Sequence, residues 1–541
     1  MYSDHNPCGH PKGIAKLKTP FTIYIVSFLA VTTTWAQESV DLDMVNKIRD
    51  EGFNRSEVME SLSVLADEIG PRLTASPGMR AASKWSVEQL QAWGVKNVTL
   101  ESFDFGRGWS TTRSEIHMTS PRQTQLYGLP VEWHPGTDGV IEGEIVYAPI
   151  SSEEDFAEWE GKLLGKMVLI DEVGPPHEAD TRNVTSYDDE MLDERVSFNV
   201  PVGERPPRDE WAKDMQYRHA LSAFLAQEGA LAMVRKSSGD AMVIQMVGYQ
   251  YHVGMTPEIP AVVLAAEHYK RLTRLADKDH DVRLSIDVDA AFHDDDSLGY
   301  STIAEISGQG WNPEIVMAGA HIDSHAPGDG AADNASGVAV VMEAMRILTA
   351  LDVQPKRTIR IGLWSGEESE FYGSGEHVRR NFGSYPRKTD DIYKYVGDYE
   401  AADLSKPFAK ERDYDKFSVY FNLDNGAGKI RGIYTEGNAA ARPIFESWLV
   451  PFHDLGATHV TLNRTRSTDH ESFQLIGLPG YQFIQDRNSG AGRGHNQIDL
   501  YDEIYEKDLK QASVIMASFL YHAAMRDERM PRKPEPVPIS E

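Results

Sequence analysis

Ile315-Val-Met-Ala-Gly-Ala-His-Ile-Asp-Ser-His-Ala-Pro-Gly-Asp-Gly-Ala-Ala-Asp-Asn-Ala-Ser-Gly337 is the stretch on which the fold turns. It opens on a short apolar run of the kind that forms a buried strand. It then crosses a glycine-rich loop and enters Val338, Val341, Met342, Met345 and Leu348, apolar positions at helical spacing. Three further strand-like runs follow, Thr358 to Trp364, Phe417 to Leu423 and Gly480 to Ile484. Alternation of strand and helix predicts an α/β fold with a mainly parallel central sheet covered by helices. Such sheets collect ligands at the carboxyl ends of their strands. Here those ends carry His321-Ile-Asp323-Ser, Ser-Gly-Glu367-Glu368, Asp424-Asn-Gly, and Gln485-Asp486 with the loop to His495, while Asp333 opens the helix after the first strand.

Upstream, residues 44–104 read as helical and then extended, with a helix through Ser83 to Trp93 that Gly94 ends. Residues 130–290 have a different texture. The β-like runs Gly143 to Tyr147, Lys166 to Ile170 and Ala261 to Leu264 are broken by an acidic, polar stretch at 176–212. This predicts a β-rich inserted domain with a long loop. The expected organisation is a leader over 1–36, the first part of the main domain over 37–129, the insertion over 130–290, the rest of the main domain over 291–529, and a Pro-rich disordered tail over 530–541.

The leader has Lys12, Lys16 and Lys18 ahead of an apolar run from Phe21 to Val31, and ends in Thr34-Trp-Ala36. That order describes a secretory signal peptide, so the protein is expected to be secreted or periplasmic and free of the membrane once the leader is removed. Cys8 is the sole cysteine and lies in the leader, which excludes disulfides, thiolate catalysis and cysteine metal sites from the mature chain. The formal charge is −29, and loss of the leader's three lysines and one aspartate leaves about −31. A surface this acidic disfavours nucleic acid and anionic membranes as partners. Homodimer formation is left open.

Imidazole and carboxylate donors without thiolate suit two closely spaced divalent ions used for hydrolysis, zinc first. Two cations need a carboxylate between them, and Asp333 is the choice. Glu367 and Glu368 are adjacent and point different ways, so one can hold metal while the other faces the water as general base. Asp323, two residues beyond His321, can take the imidazole's free N–H. Singly, each residue has a plainer reading: Asp424 as a turn residue, Glu367-Glu368 as a solvated pair, His495 as a surface histidine, Asp333 as a helix cap. Their joint occurrence behind strand-like runs favours the site. A serine hydrolase is disfavoured, since Gly-x-Ser-x-Gly is absent.

These segments resemble the M28 family of zinc exopeptidases. The matching pieces are His-Ile-Asp-Ser (321–324), Gly-Ala-Ala-Asp-Asn-Ala-Ser-Gly (330–337), Trp-Ser-Gly-Glu-Glu (364–368), Asn-Leu-Asp (422–424) and His495-Asn-Gln-Ile-Asp499. Ile69-Gly-Pro-Arg-Leu-Thr-Ala-Ser-Pro-Gly is similar to that family's N-terminal segment, and 130–290 to a protease-associated domain. The layout, with Gln354-Pro-Lys-Arg-Thr-Ile-Arg before the Glu-Glu strand, most resembles the carboxypeptidase Q branch. The resemblance implies two zinc ions. His321 and Asp424 would hold one and Glu368 and His495 the other, with Asp333 bridging, Glu367 as base and Asp323 behind His321. Two departures stand out: Asn496 and Leu500 replace hydroxyl residues usual near the last histidine, and Asn334 follows the bridging aspartate as in the aminopeptidase branch.

The expected activity is therefore exopeptidase action on dipeptides or short peptides, from the amino terminus. Asp469, Glu471 and Glu370 are candidate partners for a substrate ammonium, and His470 a candidate for substrate contact. Arg487 and Arg493 are the residues that would clamp a carboxylate if the enzyme were a carboxypeptidase. His325 is expected on the rim. A glutaminyl cyclase and a non-catalytic binding protein of the same fold are the rivals.

Overall fold

The computed structural model describes residues 38–174, 186–198, 209–239, 241–245, 254–310, 313–486 and 494–539. The leader with Cys8, much of the acidic 176–212 stretch, and both Arg487 and Arg493 lie outside the described residues.

The main sheet has eight strands among these residues, in the order Asn97–Asp104, Leu298–Ile306, Thr358–Trp364, Ile315–His321, Phe417–Asn422, Gly480–Gln485, Ile430–Tyr434 and His459–Thr461. The four central strands run parallel. Antiparallel partners join on both sides, at Leu298–Ile306 and Ile430–Tyr434. The fold is thus the expected α/β class, and its parallel part is the part that carries the motifs.

The burial of the Ile315–His321 strand explains why its sequence is a continuous apolar run. Every residue in it is buried, and its alternate side chains feed two different cores. Val316, Ala318 and Ala320 pack with the helix Ser336–Ala350 and the helix Glu506–Met525 on one face. Ile315 and Met317 pack with Trp364, Phe382, Tyr420 and Phe473 on the other. A strand covered on both faces has no solvent side on which to place polar residues.

A second eight-stranded sheet is built from Gly108–Ser120, Thr124–Gln125, Gly128–Pro130, Ile141–Tyr147, Lys166–Leu169, Ala232–Lys236, Ala261–Leu264 and Arg283–His293. It starts earlier than the expected residue 130. The strand Gly108–Ser120 pairs antiparallel with Arg283–His293 along nearly its whole length. Six consecutive polar residues, Ser110 to Glu115, hide that strand from a reading based on apolar periodicity. Helices Asp209–Gln227 and Ala266–Ala276 belong to the same region.

The tail also differs from expectation. Met530 is buried, and its N–H donates to Ser418 Oγ at 3.2 Å. Asn438 Nδ2 donates to Pro531 O at 2.7 Å, and Ile539 N to Leu404 O at 2.9 Å. A Pro-rich composition rules out helix and sheet, but an extended chain still offers carbonyls and an apolar side chain to dock.

Candidate metal centre

Each sequence-derived ligand sits at the carboxyl end of a central strand or in the turn that follows. His321 is the last residue of its strand, and Glu367 and Glu368 follow Trp364. Asp424 stands two residues beyond Asn422, while Asp333 lies in the turn Ala331–Ala335 that leads into the helix Ser336–Ala350. His495 arrives on the segment after Gly480–Gln485, beside Gly494, where a side chain would displace the Asp333 carboxylate. A Cβ there would lie 2.3 Å from Asp333 Oδ2.

The structure brings all of these residues together. His321 Nε2 lies 3.1 Å from Asp333 Oδ1 and 3.2 Å from Asp424 Oδ1. His495 Nε2 lies 3.1 Å from Asp333 Oδ2 and 3.1 Å from Glu368 Oε2. Asp333 therefore presents one oxygen to each histidine. Glu367 is grouped with His321 and Asp424, while Glu368 is grouped both with His325 and His495 and with His321 and Asp333.

Asp323 behaves differently from the expectation. His321 Nδ1 donates to the main-chain oxygen of Asp323 at 3.0 Å, while the carboxylate lies 3.7 Å away. The carboxylate instead accepts from the amides of Glu367 at 3.3 Å and Glu368 at 3.4 Å, and from Thr74 Oγ1 at 3.1 Å. One residue thus fixes the imidazole through its backbone and the Glu367-Glu368 turn through its side chain.

The electrostatics are those of a crowded acid–imidazole cluster. Burial disfavours protonation of His321, but the Asp424 and Glu367 carboxylates outweigh it and raise its pKa well above the usual value. Burial raises Asp333 as it does any acid, yet hydrogen bonds from His321 and His495 hold it well below its ordinary range. Glu367 goes the other way, pushed well up by burial and by neighbouring Asp424 and Glu368. Strong shifts of opposite sign within one cleft mark a functional site more often than a structural one.

The residues also fit a metal. Three triads, His321–Asp333–Glu368, His321–Glu367–Asp424 and His325–Glu368–His495, each have their donor atoms within 4.8 Å of one another. Glu368 Oε1 is buried and has no hydrogen-bond partner among the described residues, a cost that a cation would remove. The donor set is nitrogen and carboxylate oxygen, as zinc accepts.

Residues 301–520 match Peptidase family M28. The chain carries an M28 peptidase domain. It is homologous to carboxypeptidase Q of Mus musculus, 23% identical over 500 residues that cover 92% of this chain and 90% of the relative. The human carboxypeptidase Q gives 23% over 503 residues with the same coverage. Among solved structures, a peptidase M28 precursor from Shewanella amazonensis superposes with a TM-score of 0.63 at 22% identity, covering 91% of this chain and 99% of that one. BSAP, a zinc aminopeptidase from Bacillus subtilis, gives 0.54 at 18% identity, covering 87% and 95%.

Around this cluster, several residues take parts that the sequence did not assign to them. Arg72, in the Ile69-Gly-Pro-Arg segment, is fully buried and donates to the carbonyls of Ile322 and Gly330, each at 2.8 Å. It tethers the loop between His321 and Asp333 from both ends, and burial lowers its pKa to about 10. Asp499 accepts from the amides of Ala332 at 2.6 Å and Asp333 at 3.1 Å and so sets the bridging turn. His325 is not on the rim: it is buried against Glu368.

The secondary candidates separate as well. Glu370 is occupied by Trp211 Nε1 and the Gly397 amide, with its pKa pushed up to about 8 by burial. Glu471 accepts from the Ser467 amide at 2.9 Å. His470 is fully buried, and burial lowers its pKa to about 3. Asp469 is fully buried, and burial pushes its pKa up to about 8 despite the attraction of His321.

Proposed function

We propose that this chain is an exported two-zinc exopeptidase that hydrolyses the terminal bond of dipeptides and short peptides, acting from the amino terminus. The observation that carries the proposal is the placement of Asp333. Its two oxygens stand 3.1 Å from His321 and 3.1 Å from His495, each histidine being backed by a further carboxylate. A carboxylate shared in this way holds two cations side by side.

His321 and Asp424 would hold one ion, and Glu368 and His495 the other, with Asp333 between them. When bound, such a pair acidifies water and polarises a carbonyl oxygen. Glu367 is the residue left to handle protons. It is buried beside His321 and Asp424, at the edge of the cluster, where a carboxylate can take a proton from water and return it to the leaving amine. Asp323 keeps Glu367 in place through the amide hydrogen bond.

The polarity follows from charge. Asp323, Asp333, Glu368 and Asp424 make the cleft wall strongly acidic, and a substrate ammonium is attracted to such a surface. Homology to carboxypeptidase Q over 92% of the chain favours a second reading, cleavage from the carboxyl terminus. One tripeptide in three forms separates them. Acetylation of its amino terminus should abolish cleavage and amidation of its carboxyl terminus leave it largely intact. The opposite pattern would make the enzyme a carboxypeptidase. No helix among the described residues is long and apolar enough to cross a membrane.

A further inference from the structure

His325 stands four residues beyond His321 on the loop that Arg72 tethers, and its ring is enclosed on both sides. Its Nδ1 lies 2.8 Å from Glu132 Oε2, and its Nε2 lies 2.9 Å from Glu368 Oε2. The His495 ring is packed against it, with centroids 4.2 Å apart. Glu132 comes from the other sheet, two residues past the strand Gly128–Pro130, and is buried. Its second oxygen accepts from the Ala326 amide.

These partners fix the chemistry of the ring. A carboxylate can only accept, so Glu132 keeps the proton on Nδ1. Nε2 is left pointing at Glu368 Oε2, on the side where the His495 ring packs, so the donor atoms of all three side chains converge on one point. Glu368 and His495 are, on the reading above, the ligands of one ion, and His325 shares a triad with both within 4.8 Å. A carboxylate behind a ligating imidazole is the usual way proteins orient a metal-bound histidine.

We propose that His325 is a further ligand of the ion held by Glu368 and His495, and that Glu132 is its positioning residue. The second sheet thereby reaches the metal centre and takes part in building it. The assignment rests on the two-metal reading, from which its test can be told apart.

The experiment uses the full mature chain, loaded with zinc or with cobalt, as wild type, His325→Gln and Glu132→Gln. Metal content is measured after dialysis, affinity by competition with a chelator, and the cobalt site by its visible absorption. Wild type should hold about two ions. His325→Gln should lose the ion held by Glu368 and His495 and its share of the cobalt spectrum. Glu132→Gln should keep both ions but bind that one roughly 10–100-fold more weakly, the usual cost of removing such a partner. Unfolding midpoints of the metal-free proteins show whether the variants still fold. If His325→Gln does not, the isosteric Glu132→Gln decides alone. Wild-type affinity and spectrum in a folded variant would overturn the assignment, as would tighter binding, because the ring would then be a cation lodged between two carboxylates. A wild type that holds no metal would instead remove the two-metal reading beneath it.

Discussion

Among the described residues the two sheets have the same number of strands and a similar parallel centre, yet the acid–imidazole cluster gathers at the strand ends of the first. Asp171 in the second sheet stands two residues beyond the buried strand Lys166–Leu169, as Asp424 stands two residues beyond Phe417–Asn422 in the first. Asp171 is consumed locally. Arg235 Nε donates to it at 2.9 Å and the Lys236 amide at 2.7 Å. Asp424 meets His321 at 3.2 Å, inside a cluster where acids outnumber bases. A strand-end carboxylate is thus an opportunity only. Whether its neighbour is a cation that neutralises it or an imidazole that shares a ligand with it decides the outcome.

The strongest test of that contrast lies at Glu367 and Glu368. Glu367→Gln should leave folding and metal content near wild type while lowering kcat by about 10²–10⁴-fold, the range that general base catalysis supplies. Glu368→Gln should reduce metal occupancy instead, since Glu368 is the residue that touches His495 at 3.1 Å and His325 at 2.9 Å. Kinetics together with metal analysis on the same preparations read both. The reverse pattern would exchange the two roles.

The centre of the main sheet was legible because its parallel strands are covered on both faces, so they read as mostly apolar runs that end in or just before ligand types. The second sheet was less so. Gly108–Ser120 exposes much of one face and spells out polar residues where a strand signature was sought. His325 was misplaced for another reason. A histidine in a Gly- and Pro-containing loop looks solvent-exposed, and what buries it is Glu132, nearly two hundred residues earlier and on the other sheet. Nothing local in Val131-Glu-Trp133 announces that contact. Asp323 shows a finer limit. Its spacing from His321 was informative, but spacing does not say whether the backbone or the side chain makes the bond.

Asp323→Asn should therefore act on two groups at once. Each carboxylate oxygen now accepts from a backbone amide, so the substituted amide would turn a donor toward the Glu367 or the Glu368 N–H. Metal affinity should fall by roughly 10–100-fold. Chelator competition measures it, and Thr74→Val serves as a milder companion with a smaller loss. Unchanged affinity would reduce Asp323 to a turn residue that the site does not need.

The smallest effect expected is at Asp171, and it bears on the comparison most directly. Asp171→Asn keeps the side chain's shape and one acceptor oxygen, so the Lys236 amide can still be satisfied. What is lost is the charge facing Arg235, whose side chain is only 20% exposed. Partial exposure lets water take over some of the solvation of that guanidinium, which keeps the penalty below that of a fully buried pair. A loss of about 1.5–3 kcal/mol of stability is the upper range expected, as for a hydrogen bond to a charged group. Metal content and kcat should stay at wild-type values, because the pair lies in the second sheet and none of its contacts reaches the metal ligands. Asp424→Asn should show the converse, with metal lost and the metal-free protein as stable as wild type or more so, since one of several crowded carboxylates has been removed. Urea unfolding of the metal-free proteins, set beside metal analysis of the loaded ones, gives both axes. If Asp171→Asn also shed metal, the second sheet would be coupled to the centre more widely than through Glu132, and the division of labour between the two sheets would fail.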